Sequence, residues 1–408
     1  MKRVVVTGMG VLTSLGDNWQ DFSAALKAGV SGIKHMPDWE TYKDLNTHLA
    51  GPIEDFTVPA HYPRKKIRSM GRVSLLATRA TEVALQDAGL LDDPILQSGA
   101  VGVSYGSSTG STDATRDFAV MLDRRDIGGA TATTYIRMMG HTSPVNVGVF
   151  FGLKGRVITT SSACTSGSQG IGYAYEAIKY GKQTLMVAGG GEELCPSEAA
   201  VFDTLYATST KNSTPTLTPS PFDKDRDGLV IGEGAGTLIL EELEHAQARG
   251  ARIYAELVGF GTNSDGGHIT QPDANTMNIA MALALQDAGL DASAIGYINA
   301  HGTATDRGDI AESRATEKLF GSRVPISTLK GNIGHTLGAC GALEAWASIQ
   351  MMNEGWFAPT LNLRNPDPEC GQLDYIMGVP RALQCEYIMS NNFAFGGINT
   401  SLIFKRWQ

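Results

Sequence analysis

Short apolar runs of strand length alternate along this chain with longer segments whose apolar side chains recur at helical spacing. Residues 4–6, 100–105 and 295–300 are typical of buried strands. The segments that end at Gly89 and Gly289 are amphipathic, and glycine is a common stop for a helix. Strands that alternate with helices predict an α/β fold with a mostly parallel sheet.

One heptapeptide occurs twice and indicates an internal duplication. Ala-Leu-Gln-Asp-Ala-Gly-Leu stands at 84–90 and again at 284–290. A strand-like run closed by Gly-x-Gly precedes each copy, at 4–10 and at 255–261. Two echoes in the same order predict duplicated α/β halves, 1–250 and 251–408, and the absence of a low-complexity linker predicts that they pack closely.

Composition and charge narrow the class of protein. Of 408 residues, 42% are hydrophobic and 18% charged, which is typical of a globular protein with a large core. The net charge of −9 argues against nucleic acid as the main partner. No apolar run approaches the roughly 20 residues of a membrane span, and the first residues lack the apolar core of a signal peptide. Five cysteines are too few and odd in number for a disulfide framework. We therefore expect a cytoplasmic protein that binds neither membrane nor nucleic acid.

Cys164 has the sequence context of a nucleophile. A β-branched run ends at Thr160, small residues follow over 161–170, and a helical pattern begins there and ends at Gly181. The start of a helix favours a thiolate, and small neighbours let a substrate carbonyl approach the sulfur. A buried structural cysteine is the alternative, and it is our interpretation of the other four cysteines.

Two histidines in the second half stand beside glycines. His301 follows the strand-like run 295–300, and His335 lies between Gly334 and a small-residue helical segment. A single histidine is most often a surface or satisfied core residue. Two of them just past strand ends favour a ligand site, because open α/β sheets bind ligands beyond the carboxyl ends of their strands.

Six motifs give the chain its resemblance to the β-ketoacyl-acyl-carrier-protein synthases of types I and II, in family order and over nearly the whole length. They are Ser161-Ser162-Ala163-Cys164-Thr165-Ser166, Pro221-Phe222-Asp223-x-x-Arg226-Asp227-Gly228, Gly232-Glu233-Gly234-Ala235-Gly236, Asn299-Ala300-His301-Gly302-Thr303, Gly334-His335-x-x-Gly338 and Asn392-Phe393-Ala394-Phe395-Gly396-Gly397-Ile398-Asn399. The resemblance implies a duplicated, thiolase-like five-layer α/β/α/β/α fold with two pseudo-symmetric halves, in agreement with the internal echoes.

The resemblance also implies a reaction, a decarboxylative Claisen condensation. Cys164 would take an acyl group from a carrier-protein thioester, and the carbanion left when malonyl-carrier protein loses CO₂ would attack it, lengthening the chain by two carbons. The implied partners are an acyl carrier protein, acyl and malonyl thioesters, and a second copy of the chain in a homodimer. No metal or separate cofactor is expected, since the carrier's 4′-phosphopantetheine holds the substrates.

The resemblance assigns roles to further residues. His301 and His335 would donate to the malonyl thioester oxygen, and the N–H groups of Cys164 and Phe395 would form an oxyanion hole. Lys330 and Glu344 would orient the site, although an ordinary ion pair is the alternative. The remaining implied roles are pantetheine binding by Thr303 and Thr305, gating by Phe395, and carrier docking at the basic clusters Arg64, Lys65, Arg68 and Arg124, Arg125. Turn chemistry, a core phenylalanine and solvated basic faces are the respective alternatives.

Three positions depart from the family pattern around the acyl pocket and gate loop. Ala394 and Ile398 replace a glycine and a threonine of the gate loop, and Thr109 stands where relatives often carry a larger apolar residue. These changes favour a narrower acyl series, such as unsaturated or aryl-capped chains of a polyketide or polyene type. Ordinary saturated fatty-acid elongation is the alternative.

Two other classes of condensing protein fit less well. A thiolase acting on CoA esters would carry a late Cys-x-Gly motif, which Cys370 and Cys385 do not supply. A chain-length-factor-like partner subunit typically lacks the nucleophile, and Cys164 is present.

A structural zinc site from Cys164, His301 and His335 would lack a fourth ligand.

Overall fold

A computed structural model describes all residues, Met1–Gln408. Sixteen β-strands form one large and two small sheets. In chain order they are β1 Val4–Leu12, β2 Lys34–His35, β3 Leu49–Gly51, β4 Val101–Gly106, β5 Val157–Thr159, β6 Leu185–Glu192, β7 Ile231–Gly232, β8 Gly234–Glu242, β9 Ala255–Ser264, β10 Ile295–Asn299, β11 Pro325–Ser327, β12 Trp356–Phe357, β13 Asp374–Tyr375, β14 Arg381–Ala382, β15 Tyr387–Ala394 and β16 Ile398–Arg406.

Thirteen α-helices connect or cover these strands. They are α1 Trp19–Lys27, α2 Arg64–Ile67, α3 Arg72–Asp87, α4 Thr112–Arg124, α5 Ala132–Met138, α6 Thr142–Phe151, α7 Ser166–Lys179, α8 Pro196–Asp203, α9 Leu243–Ala248, α10 Ala274–Ala288, α11 Asp306–Phe320, α12 Lys330–Ile333 and α13 Cys340–Glu354. Short 3₁₀ helices add further turns, among them Pro37–Thr41, Ala163–Thr165 and Leu337–Ala339.

The large sheet has eleven strands: the same five-strand unit twice, and β13 as one extra strand that pairs with β11 outside the second unit. Its strand order is β13-β11-β10-β15-β16-β9-β1-β8-β6-β4-β5. Numbered within its own half, each unit has the spatial order 3-2-4-5-1, and the first strands of the two halves, β1 and β9, pair antiparallel at the centre. The duplication predicted from the heptapeptide is thus present in the strand order, and the thiolase-like architecture is confirmed.

The prediction of a mostly parallel sheet is correct for only half of the pairings in each unit. β4 pairs parallel with β5 and β6, whereas β8 pairs antiparallel with β6 and β1. The second unit repeats this, with β10 parallel to β11 and β15, and β16 antiparallel to β15 and β9. The last strand of each unit, β8 or β16, pairs with the strand of the unit that precedes it in the chain. No covering helix carries the chain back to the other end of the sheet, so the two strands run in opposite directions.

Five layers follow from the contacts between helices and strands. Helices α3 and α6 cover the outer face of the first unit, and α10 and α11 cover the outer face of the second. Helices α7 and α13 pack against each other between the two units. The largest apolar cluster surrounds these two central helices and contains the predicted apolar positions Ile171, Ala174, Tyr175 and Ile178 of α7.

The repeated Gly-x-Gly has a packing role, which explains why each copy of it is accompanied by a copy of the heptapeptide. A Cβ on Gly10 of β1 would lie 2.2 Å from the Ala80 carbonyl oxygen of α3, and a Cβ on Gly261 of β9 would lie 2.1 Å from the Ala280 carbonyl oxygen of α10. Each helix can lie this close to its strand only because the glycines carry no side chain. The heptapeptide forms the end of each such helix, and Gly89 and Gly289 follow with positive φ.

The predicted boundary between the two halves, at residue 250, lies in the connection 249–254 between α9 and β9. The division at this residue stays a prediction. None of the helices combines the length and the apolar composition that crossing a bilayer requires. The cytoplasmic location also stays a prediction.

Candidate active site

Cys164 lies in a strained turn between β5 and α7. It is the middle residue of the 3₁₀ helix Ala163–Thr165, and Ala163 has φ +50°, a left-handed conformation that is uncommon for a residue with a Cβ. Ser166 stabilises the turn, since its hydroxyl donates to the Ala163 carbonyl oxygen (2.7 Å) and accepts from the Ser162 N–H (3.0 Å). The predicted strand-to-helix turn is present, and it holds the sulfur in one place.

His335 contacts the sulfur directly. Its Nε2 lies 3.0 Å from the Cys164 Sγ. The backbone of His335 is held on both sides, because its N–H donates to the Val230 carbonyl oxygen (2.7 Å) and its own carbonyl accepts from Gly232 N–H (2.8 Å). Gly334, at φ +74°, allows the chain to turn into this position.

His301 completes the group of three. It follows β10 with one residue, Ala300, between, and its ring centroid lies 5.0 Å from that of His335, with the rings perpendicular. One ring nitrogen of each histidine and the Cys164 Sγ all lie within 4.8 Å of one another. The predicted Cys-His-His set is therefore assembled from both halves of the chain.

The tautomer of His301 follows from its neighbours. The Lys330 Nζ lies 3.3 Å from its Nδ1, and the Asn392 Nδ2 lies 3.4 Å from the same atom. An ammonium group can only donate, so Nδ1 accepts and the ring proton is on Nε2. This is the tautomer that can donate a hydrogen bond to a substrate oxygen.

Lys330 and Glu344 form a fully buried ion pair behind His301. Their side chains are 1% and 2% exposed, and Nζ lies 2.5 Å from Oε1. The Asn392 amide donates to the other carboxylate oxygen at 2.7 Å. Burial lowers the pKa of Lys330, but the charges of Glu344, Cys340 and Glu312 and the hydrogen bond to Glu344 together raise it overall. Lys330 and Glu344 form an ion pair beside His301, and their orienting role stays a prediction.

Burial favours the neutral form of all three side chains. Burial raises the pKa of the Cys164 thiol to about 12, although the Lys330 charge and the N–H groups of Phe395 and Cys164 act in the other direction. Burial, followed by the Lys330 charge, holds the pKa of both His301 and His335 well below the usual range. Burial of Cys164, which is only 4% exposed, therefore opposes the thiolate that the start of a helix favours.

A cavity of about 600 Å³ leads to these residues. Cys164, His301 and His335 line it together with Thr303, Thr305 and Phe395. The two threonine hydroxyls lie 2.9 Å apart. The Phe395 ring packs against that of Phe202, with centroids 5.0 Å apart, and its N–H faces the thiol. The positions of these residues agree with pantetheine binding and gating, and those roles stay predictions.

The three departures from the family pattern occupy different surroundings. Ala394 lines the cavity, ends β15 and pairs with Ile398, the first residue of β16. Thr109 and Ile398 do not line this cavity. The Thr109 hydroxyl lies 3.0 Å from a Glu198 carboxylate oxygen and 3.3 Å from one of Glu192, both buried. Their part in acyl selection stays a prediction.

The five basic residues predicted to dock a carrier are exposed and form no ion pair within the chain. Arg64 and Lys65 belong to the short helix α2, with Arg68 just beyond it, and Arg124 and Arg125 end α4. Neighbouring Lys66 differs, because its ammonium donates to the Phe150 carbonyl oxygen at 2.6 Å.

Two residues without a predicted role hold the site in place. Glu312 of α11 accepts from the N–H groups of His301 and Gly302, both at 2.7 Å, and burial raises its pKa to about 8. Asn392 bridges His301 and Glu344. Asn392 belongs to one of the six motifs that carry the family resemblance. The only sequence signal for Glu312 is its spacing of three residues from Asp309, which places two buried carboxylates on the same face of α11.

The fold is that of a thiolase-like condensing enzyme, and its site brings one cysteine and two histidines together beside a cavity. Residues 1–246 match the family described as beta-ketoacyl synthase, N-terminal domain, and residues 254–364 match its C-terminal domain. The chain therefore belongs to the β-ketoacyl synthase family.

Relatives with full-length coverage specify the enzyme class. The chain is 38% identical over 415 residues to 3-oxoacyl-(acyl-carrier-protein) synthase 2 of Synechocystis sp., covering 100% of this chain and 99% of the relative. The crystal structure of a beta-ketoacyl synthase from Burkholderia phymatum matches at 62% identity and TM-score 0.99, with 100% of both chains covered. A type II polyketide ketosynthase in complex with its acyl-carrier protein matches at 30% identity and TM-score 0.88, again with 100% of both chains covered. The protein is a β-ketoacyl-acyl-carrier-protein synthase, an acyltransferase-type condensing enzyme, and the thiolase and partner-subunit alternatives are not favoured.

Proposed function

We propose that the condensation proceeds in two stages at one sulfur, with each histidine in a separate role. The observation that carries this is the 3.0 Å contact between the Cys164 Sγ and His335 Nε2, with His301 adjacent but bound instead to Lys330. In the first stage the thiol loses its proton as the sulfur attacks the acyl thioester, and the carrier leaves as a free thiol. His335 is the nearest group that can help move that proton.

In the second stage both neutral histidines donate to the malonyl thioester oxygen from Nε2. For His335 this is the tautomer left when Nε2 has taken the thiol proton and Nδ1 has given up its own to the departing carrier thiol. The C–C bond to the carboxylate breaks, CO₂ leaves, and the electron pair becomes an enolate whose oxygen carries the charge. The enolate carbon then attacks the acyl carbon on Cys164, and the sulfur leaves as a thiolate that takes up a proton from solvent to restore the thiol. Burial and then the Lys330 charge favour the neutral form of His301. The contact between Lys330 and Nδ1 keeps the ring proton on Nε2, so the donor is available before the substrate arrives.

The oxyanion of the acyl-transfer step would be held by two backbone donors. The N–H groups of Phe395 and Cys164 both act on the thiol of Cys164. A tetrahedral intermediate on that sulfur would place its oxygen within the same pair of dipoles. Because the donors belong to the backbone, their position depends on the turn at Ala163 and on the short turn between β15 and β16.

An acyl carrier protein is the proposed partner, and it would dock at the exposed basic residues. Arg64, Lys65 and Arg68 are a local concentration of positive charge on a chain of net charge −9. The related ketosynthase solved with its acyl-carrier protein supports a carrier as the partner. An exposed, unpaired cluster is free to bind an acidic surface and steer its approach.

Charge reversal at Lys65 and Arg68 should raise the KM for carrier-bound substrates with little change in kcat. The expected effect shrinks as salt is added, because the contact is exposed and screened. Lys318→Glu, at an exposed lysine on α11 in the other half of the chain, is the control and should leave KM unchanged. A KM that stays unchanged at low ionic strength in the Lys65 and Arg68 variants would show that docking lies elsewhere.

The exposed edge of the large sheet supports a homodimer. β5 is the outermost strand at one end, and Val157 on it is 53% exposed. Val149 of the adjacent helix α6 is 63% exposed. An unpaired strand edge flanked by exposed apolar side chains is suited to pairing with a second copy, which would extend the sheet through both chains.

One experiment tests both the activity and the assembly. The isolated protein is run in sedimentation equilibrium and then assayed with acyl- and malonyl-carrier thioesters, with the product identified by mass spectrometry. We expect a particle of twice the chain mass and a 3-oxoacyl thioester two carbons longer than the primer. Product formation only after a second, different subunit is added, or only with CoA esters, would contradict the proposal.

A further inference from the structure

A second group of metal-binding side chains lies outside the active site, on the small sheet formed by β2, β3 and β7. His35 ends β2, Glu40 belongs to the 3₁₀ helix Pro37–Thr41, and His48 directly precedes β3. β2 and β3 pair antiparallel with His35 opposite Leu49, and the Met36 N–H donates to the His48 carbonyl oxygen at 2.8 Å. The backbone register therefore holds His35, at the end of β2, next to the start of β3, where His48 lies.

The side chains of this group converge. A ring nitrogen of His35, a ring nitrogen of His48 and a carboxylate oxygen of Glu40 all lie within 4.8 Å of one another. The His35 Nε2 is 3.1 Å from the Glu40 Oε1. Donors around a tetrahedral Zn²⁺ lie roughly 3.3 Å apart, since each is about 2.0–2.2 Å from the ion. The Glu40 side chain is 57% exposed and can rotate to close the remaining gap.

His48 also has an orienting contact of the kind that metal-binding histidines use. Its Nε2 lies 3.0 Å from the Leu45 carbonyl oxygen, which can only accept. In the neutral ring the proton is therefore on Nε2 and the lone pair is on Nδ1. The backbone N–H of His48 donates to the Asn212 Oδ1 at 2.8 Å, which fixes the residue further.

We propose that His35, Glu40 and His48 form a binding site for a divalent cation of the borderline class, with Zn²⁺ as the expected occupant. Two imidazoles and one carboxylate suit Zn²⁺, Co²⁺, Ni²⁺ or Cu²⁺. Mg²⁺ and Ca²⁺ prefer a shell made of oxygen and would bind poorly. Water would occupy the fourth position, because the group lies at the surface.

The cation would act on stability through the 3₁₀ helix. Trp39 of that helix is 4% exposed and belongs to the same apolar cluster as Cys164 and Phe202. A cation that joins Glu40 to both strands would hold this helix against the cluster. Since a ligand that binds only the folded chain stabilises it, Zn²⁺ should raise the melting temperature.

The test uses the full chain without a histidine tag, stripped with a chelator and titrated with Zn²⁺ by calorimetry. We expect one equivalent to bind, and His35→Ala and His48→Ala each to weaken its binding by roughly tenfold or more. His61→Ala is the matched control, because His61 also contacts a glutamate (Glu82, 2.5 Å) without a second histidine nearby. Mg²⁺ at the same concentrations should give neither heat nor a thermal shift.

Co²⁺ distinguishes this site from the active site, where Cys164, His301 and His335 also lie within 4.8 Å. Binding at the proposed site gives a cobalt spectrum without a sulfur-to-metal charge-transfer band and leaves Cys164 open to alkylation. A thiolate band, protection of Cys164, or Zn²⁺ affinity that survives both histidine substitutions would overturn the proposal. So would the absence of Zn²⁺ binding to the unaltered chain.

Discussion

Replacing Cys164 with alanine is expected to abolish acyl transfer and condensation while the chain stays folded. The sulfur lines the cavity, contacts His335 and faces the backbone N–H of Phe395. Removing one buried sulfur atom costs about 1 kcal/mol of stability by area, which a chain with so extensive a core tolerates. The expected loss of activity is therefore due to the missing sulfur and not to unfolding.

The measurement is the release of free carrier from an acyl-carrier thioester when no malonyl substrate is present. The Cys164→Ala variant should release none above background, with an unchanged circular dichroism spectrum. Cys370→Ala is the control, because Cys370 is also buried but belongs to a separate apolar cluster. Stoichiometric carrier release by the Cys164 variant would show that another group is the nucleophile.

Substituting the histidines should separate the two stages. His301→Ala is expected to lower the rate of malonyl decarboxylation by about 10²–10³, the usual loss for one oxyanion donor, while self-acylation changes much less. His301 is bound to Lys330 and not to the sulfur. His335→Ala should lower both rates, because its Nε2 contacts the Cys164 Sγ at 3.0 Å.

For each variant, and for His61→Ala as the control, decarboxylation is measured as the CO₂ released from malonyl-carrier protein. Self-acylation is measured as the carrier released from the acyl-carrier thioester. The expected pattern is one stage lost in His301→Ala and two in His335→Ala. Equal losses of both stages in the two variants would contradict the separate roles, and near-normal decarboxylation in either would remove that histidine from the enolate site.

The duplicated architecture could be predicted because its signal is local and repeated. Gly10 and Gly261 occur at equivalent places for a physical reason, since each lets a helix lie against its strand. The direction of the last strand in each unit could not be predicted in this way. The direction of a strand depends on which end of the sheet the preceding connection reaches. The apolar pattern within the strand carries no information about that connection.

Sequence context also predicted which residues lie together at the site. It did not predict how burial affects their charge, and their catalytic roles stay predictions. Sequence context placed Cys164 at the start of a helix, which favours a thiolate. Burial among residues distant in the chain outweighs that effect and raises the pKa of the thiol to about 12. Glu312 was missed for a similar reason, because its contact with the His301 backbone exists only once α11 has packed beneath the loop.

The most direct test of the proposed chemistry is to locate the acyl group on the protein. The enzyme is incubated with an acyl-carrier thioester and no malonyl substrate, digested, and its peptides are weighed and sequenced by mass spectrometry. The acyl mass should appear once per chain, on the peptide that contains Cys164, and should disappear when malonyl-carrier protein is added. An acyl group on a different residue, or full condensation without any covalent intermediate, would contradict Cys164 as the nucleophile.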